Sequence, residues 1–367
     1  MNSGQTPSKV SGLDIKYIIK PLVIIIPLAF AGNIIFVLLA SGSSIPVNLK
    51  NYNLNYLLAA IALAFMPWPA HAMRVMIWSR AFGRHLSFGD SLKTVVATDV
   101  GGAIAPTAIG GSYVKLGLLV RFGFTPGEAA LVTLLGTLED AAFFAIAIPL
   151  ALAITGAWEN PGIKQTAENI ITFWPYILAV ILGLLSIYVF LLKFGMRKNG
   201  GRISFGQASS KGGFLWRLRD KLKVYKSQFA DAFEFVKRNH KGTFMLCVFS
   251  AGISWICRYS VITLLILGLG LQADPILFFL LQWVVFTLMT AFPTPGAVGG
   301  AEISFALIYK GVVPDSAIPI AITAWRFLTF YLLMIVGSSI VVFTGLGKPR
   351  RPNEKAANTE IERTFSL

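Results

Sequence analysis

Phe292-Pro293-Thr294-Pro295-Gly296-Ala297-Val298-Gly299-Gly300 interrupts an apolar stretch over residues 275–310. A helix cannot run through it. Each proline lacks a helical N–H and clashes with the preceding turn, and each glycine loses the most conformational freedom on becoming helical. The stretch therefore reads as two helical limbs joined by irregular backbone. Its second limb holds a dozen residues or fewer, short of the roughly 20 that a membrane crossing needs. The simplest reading is a re-entrant hairpin whose tip lies inside the membrane. Irregular backbone is tolerated at that depth only when buried in protein or lining a cavity.

The same pattern occurs earlier. Ala105-Pro106-Thr107-Ala108-Ile109-Gly110-Gly111 breaks residues 87–122, the first such hairpin. Pro106…Gly111 matches Pro295…Gly300 at an offset of 189, while Gly123…Pro126 matches Gly311…Pro314 at 188, and Ala129 matches Ala317. One single-residue indel reconciles the two offsets. This is an internal repeat in which each hairpin precedes a long apolar segment.

Composition supplies the membrane premise. The 367 residues are 55% hydrophobic and 13% charged, with mean hydropathy +0.68; a soluble domain carries roughly 25% charged residues. That excludes a soluble globular enzyme, a disordered protein and a nucleic-acid-binding module, and no nucleic-acid partner is expected. Six full spans follow, at about 17–40, 54–78, 125–154, 171–192, 243–269 and 314–343. The first has too long an apolar run for a cleaved signal peptide, whose core is roughly 7–15 residues. Pro67 and Pro69 predict a kink or break in the second. The fold class is thus an all-α polytopic membrane protein of about six spanning helices plus two re-entrant hairpins. Cys247 and Cys257, ten residues apart in one segment, and the scattered His71, His85 and His240 give neither a disulfide framework nor a metal site.

The net charge of +15 orients the chain. The loop 193–241 holds thirteen Lys and Arg against Asp220, Asp231 and Glu234, which places it in the cytoplasm. Counting spans outward puts the N-terminal tail 1–16 and the polar tail 347–367 on the same side. The predicted transmembrane domain is 17–346. Three spans separate the hairpins, so they enter from opposite faces: an inverted-topology repeat, the architecture of alternating-access transporters. Within the loop, Leu215, Leu218, Leu222, Tyr225, Phe229, Phe233 and Val236 recur at helical spacing. This predicts either a helix on the anionic inner leaflet or one packed on the protein's own loops.

Charges at membrane depth cost at least roughly 2.5–3.5 kcal/mol each, so those present are functional candidates. Glu139, Asp140, Arg258 and Arg326 fall near span centres, and Lys115 and Glu302 lie just past the two breaks. Asp99 and Arg74 complete the set. Each break also starts a short helix near Gly110-Gly111 and Gly299-Gly300, with free N–H groups at its positive end. With Lys115, Arg258 and Arg326 these ends would form a substrate site for an anionic group. Glu139, Asp140 and Glu302 would balance the cations, bind a cationic group, or carry coupling protons. The bland alternative is a set of ion pairs that pin helices together. Adjacent residues on a helix diverge by about 100°, which argues against Glu139 and Asp140 sharing one small site.

Pro295-Gly-Ala-Val-Gly-Gly-Ala-Glu302, followed by Gly311, Ala317 and Arg326, resembles the P-G-x-x-G-x-x-E … G … A … R pattern of the lysylphosphatidylglycerol synthase transmembrane-region, or flippase-like, family. Pro106…Gly111, Arg121, Gly123 and Glu139-Asp140 resemble its first-half motif, with Ser112 and Asp140 standing where the pattern has Glu and Arg. The resemblance covers roughly 15–346. It implies a flippase or transporter that moves a lipid with an anionic, phosphate-bearing head between leaflets, in the inner or plasma membrane of a prokaryote, with both termini cytoplasmic. The implied partners are the lipid substrate and, through the basic loop, anionic inner-leaflet lipids; an oligomer is compatible with it. Synthases of the family owe their chemistry to a separate soluble domain. Only the tail 347–367 follows the last span, so neither enzymatic activity nor a cofactor is expected. Two alternatives stand beside it: an integral-membrane lipid-modifying enzyme, and a non-catalytic scaffold of a lipid or cell-envelope synthesis complex.

Overall fold

The computed structural model describes residues 52–105, 110–156, 234–235, 237–238, 240–292 and 294–345. Among them every extended element is helical, and the single β-type contact is an isolated bridge between Lys310 and Val313. Among the described residues, four helical stretches are long and apolar enough to cross a membrane: Leu54–Ala81, Pro126–Thr155, Lys241–Gly268 and Ile318–Thr344. The spans expected at 17–40 and 171–192 lie outside the described residues, as do both tails.

The first stretch is two helices in series. α1 (Leu54–Phe65) ends one residue before α2 (Pro67–Ala81), with Pro67 at the first helical position. Proline is tolerated there because its missing N–H would have no partner anyway. The interruption falls where Pro67 and Pro69 predict it. Ser250 covers the same region, donating its hydroxyl to the Ala70 carbonyl at 2.9 Å.

Both broken stretches form paired short helices. α3 (Phe88–Ile104) starts at a Ser87 cap and ends at Ala105, whose backbone is extended. α4 (Gly110–Arg121) then packs back along α3. That approach depends on Gly111, where a Cβ would sit 2.7 Å from the Thr98 carbonyl oxygen. In the second half, α7 (Pro275–Met289) and α8 (Gly300–Tyr309) pair likewise, joined by a 3₁₀ turn at Pro295–Ala297. The repeat holds at the following turn too. Gly123 and Gly311 both adopt left-handed backbone, at φ +93° and +83°, and Ala129 and Ala317 are both buried.

α5 (Pro126–Thr155) follows the first hairpin, opened by a reciprocal Thr125–Glu128 capping box. The segment after the second hairpin is not one regular helix. α9 (Ile318–Arg326) passes through a π-helical turn, Phe327–Tyr331, into α10 (Leu332–Thr344). The sequence carries no signal for that turn. α6 (Lys241–Gly268) packs on α1, α2, α5, α7 and α9. It contributes to the two largest apolar clusters among the described residues. One is built from α1, α6, α7, α8 and α9, and the other from α2 to α5 with Cys247 of α6 and Leu333 and Val341 of α10.

Of the basic loop, the described residues lie at its C-terminal end. Phe235 stacks on Phe82 with ring centroids 4.6 Å apart, and it also contacts His240 and Trp78. This end of the loop therefore packs against the end of α2. The rest of the expected amphipathic helix lies outside the described residues.

Candidate functional site

Among the described residues, the candidate charges named from the sequence gather into three groups. The first joins α2, α4 and α5. Arg74 and Trp78 are four residues apart and share one face of α2. Arg74 Nη1 lies 3.1 Å from Glu139 Oε2 and 2.7 Å from Asp140 Oδ1, and Trp78 Nε1 donates to the other Glu139 oxygen. Glu139 is fully buried, whereas the Asp140 side chain keeps a quarter of its exposure. The objection that adjacent residues cannot serve one site fails here. One guanidinium nitrogen inserted between the two carboxylates spans the divergence that helix geometry imposes.

Lys115 reaches the same group from α4. It is 7% exposed, and its Nζ faces Gly136, where a Cβ would stand 3.4 Å away. His71, Arg74, Trp78, Val132 and Glu139 line a narrow crevice around it. Glu139, Asp140 and Asp99 lie within electrostatic reach. Among the described residues, however, the ammonium pairs with no carboxylate.

The second group crosses between the halves of the chain. Arg258 of α6 approaches Asp99 of α3 at 3.8 Å, while Trp68 Nε1 donates to the same Asp99 oxygen at 2.9 Å. Both charged side chains are about 30% exposed, and the guanidinium lies 5.6 Å from the Trp255 ring centre. This is a loose, open pair.

The third group is closed. Glu302 Oε2 accepts from the Gly299 N–H at 2.8 Å, and its Oε1 accepts from Arg326 Nε at 2.9 Å. Arg326 Nη2 donates to the Gly296 carbonyl at 3.1 Å, and the guanidinium stacks 4.5 Å above Phe330. Both charged residues are 1% exposed. Glu302 thus occupies the positive end of α8 that sequence reasoning left free for an outside anion. Gly300 is needed for this packing, because a Cβ there would collide with the Phe292 ring.

The structure brings Lys115, Glu139 and Asp140 together with Arg74, and Glu302 and Arg326 together with the second break. Arg258 belongs to neither group. Gly110 and Gly111 open α4, and Gly299 precedes α8 in left-handed backbone at φ +82°. α3 packs on the Pro295–Ala297 turn, so the first limb of one hairpin touches the break of the other. Sequence reasoning missed Trp68 and Trp78, which donate to Asp99 and Glu139. The signal available for Trp78 was its four-residue spacing from Arg74.

Residues 21–337 match the sequence model of the family described as lysylphosphatidylglycerol synthase TM region. The chain belongs to this family. It is also similar to a UPF0104 membrane protein of Archaeoglobus fulgidus, at 23% identity over 304 residues, which is 81% of this chain and 88% of that relative. All three charge groups of this family member fall inside the matched region. It is a multi-pass membrane protein, and the match is to a membrane region rather than to a catalytic domain.

Proposed function

We propose that this protein is a transbilayer flippase or transporter for a lipid with an anionic, phosphate-bearing head group. The observation that carries the reading is Lys115, a largely buried lysine beside the first break whose ammonium pairs with no carboxylate among the described residues. An ammonium kept at membrane depth without a paired anion is costly. A head-group anion would supply the pair and lower that cost.

The other two cations are less available. Arg326 directs its donors to Glu302 and the Gly296 carbonyl. Arg258 is held by Asp99, though loosely enough to swing toward a ligand. In this reading Lys115 holds the anion, Arg258 assists, and Glu302–Arg326 fixes the shape of the second hairpin. The hairpins are re-entrant and enter from opposite faces of a prokaryotic inner membrane, with both termini cytoplasmic. The narrow crevice at Lys115 is then an occluded state that opens when one hairpin moves.

Vesicles reconstituted with the purified protein and traces of fluorescent phosphatidylglycerol or fluorescent polyprenyl phosphate test the reading. Dithionite should bleach inner-leaflet dye as the protein exchanges it outward, and Lys115→Met should abolish that exchange. If neither lipid moves with the wild-type protein, the flippase reading fails.

A further inference from the structure

Arg74, Lys115, Glu139 and Asp140 carry two positive and two negative charges, so their formal charges balance before any ligand arrives. An anionic head at Lys115 would add an uncompensated negative charge where such charge is expensive. Something positive must enter with it. Arg74 is already divided, with one nitrogen serving both carboxylates. Asp140 Oδ1 takes that contact, which leaves Oδ2 able to accept a proton. Asp140 is also a quarter exposed, whereas Glu139 is sealed and held by Trp78. The charged and titratable groups near this acid pair, among the described residues, are Arg74 of α2, Lys115 of α4, and Cys247 and Tyr259 of α6, with His71 of α2 lining the same crevice; Asp99 of α3 acts on Lys115, and Arg258 of α6 on His71 and Tyr259.

We propose that lipid movement is coupled to protons, with the Glu139–Asp140 pair as the carrier: one proton joins the pair, entering at Asp140, for each negative charge that the head group brings to Lys115. This rests on the flippase reading above. The proton comes from water on the face where the head group enters. It binds a carboxylate oxygen, crosses with the occluded lipid, and returns to water on the opposite face as the head group leaves. No covalent bond of the lipid breaks and no electron moves. The cycle is anion–proton symport, which keeps the buried group neutral in both its empty and its loaded states.

The test uses the full chain in phosphatidylcholine vesicles that contain a trapped pH-sensitive dye and traces of fluorescent phosphatidylglycerol or polyprenyl phosphate. Dithionite bleaching and lumenal pH are followed with and without an imposed pH gradient. The wild-type rate should change several-fold with the gradient, and lumenal pH should shift in step with lipid movement. Asp140→Asn should lose the gradient response and Asp140→Glu should regain it. Lys115→Met, which leaves both carboxylates in place, should abolish lipid-dependent proton movement. Wild-type lipid movement at the same rate with and without the gradient, and with no lumenal pH change, overturns the coupling and leaves the flippase standing. No lipid movement under any condition overturns the flippase reading and the coupling with it.

Discussion

The two halves place a charged residue on the second limb of the hairpin and an opposite charge 24 residues later, on the helix that follows, but with the signs exchanged. In the second half, Glu302 and Arg326 meet at 2.9 Å and have no further partner to seek. In the first half, Lys115 and Glu139 line one crevice without pairing, because Arg74 of α2 has taken the carboxylate. The corresponding preceding helix in the second half is α6. Its arginine, Arg258, turns away to Asp99 of the first hairpin. One half is therefore a finished clasp, whereas the other keeps a cation in reserve. A buried pair contributes little net stability but is expensive to break, which suits a fixed hairpin. A cation in reserve suits a ligand.

Breaking the clasp should have the largest effect. Arg326→Ala leaves Glu302 buried without its cation, which should cost about 3–5 kcal/mol. Thermal unfolding in detergent should show a large fall in midpoint, and the double replacement Glu302→Leu with Arg326→Met should recover much of it. If Arg326→Ala melts like the wild type, the clasp is not holding the hairpin and the contrast between the halves collapses.

The hairpin contact comes next. Gly111→Ala drives a methyl into the Thr98 carbonyl, and overpacking of this kind costs about 1–3 kcal/mol. A methyl at Gly117, on the same helix, would have nothing within 4 Å. Gly117→Ala should therefore be neutral, or stabilising by up to about 1 kcal/mol through helix propensity. Equal midpoints for the two alanine variants would mean that α3 and α4 do not pack this closely.

Lys115→Met should separate function from stability. It breaks no ion pair, so its melting midpoint should stay much closer to wild type than that of Arg326→Ala. Losing a charge-assisted hydrogen bond of about 1.5–3 kcal/mol should weaken head-group binding roughly tenfold to a hundredfold. Lipid titration in detergent, read beside the melt, sharpens the comparison. A variant that melts early yet binds lipid normally would make Lys115 structural.

Asp99→Asn should be the mildest. The Asp99–Arg258 pair is partly exposed and 3.8 Å long, and pairs of that kind contribute at most about 1 kcal/mol. The Trp68 hydrogen bond can persist to the asparagine oxygen, so the midpoint should barely move. A large loss would mean that the cross-half contact is a third anchor of the fold.

Much of this architecture was legible in the residues. Two prolines and three glycines across residues 293–300 forbid a continuous helix whatever surrounds them, and the hairpin at α7 and α8 follows from that. Pro67 and Pro69 mark the α1–α2 interruption for the same reason. The long α5 and α6 follow from uninterrupted apolar length. The π-helical turn at Phe327–Tyr331 was not legible, because it arises from packing: Phe330 lies against Gly296 while the arginine above it reaches the Gly296 carbonyl. The candidate charges could be found as costly exceptions in an apolar chain. Their partners could not.

What the sequence determined by itself is local or additive: where backbone can and cannot be helical, which segments suit a membrane, and which charges are out of place there. What only the tertiary structure decided is who meets whom. Arg74 is 65 residues from Glu139, and nothing in either neighbourhood announces the other. Whether an ammonium is paired or waiting depends on where a third helix puts its guanidinium, since electrostatic contact falls off over a few ångströms. Lys115 and Arg326 look alike in the sequence, each a lone cation in a greasy stretch. Among the described residues, folding commits one to a carboxylate and leaves the other without one, and that difference turns a set of charges into a candidate site.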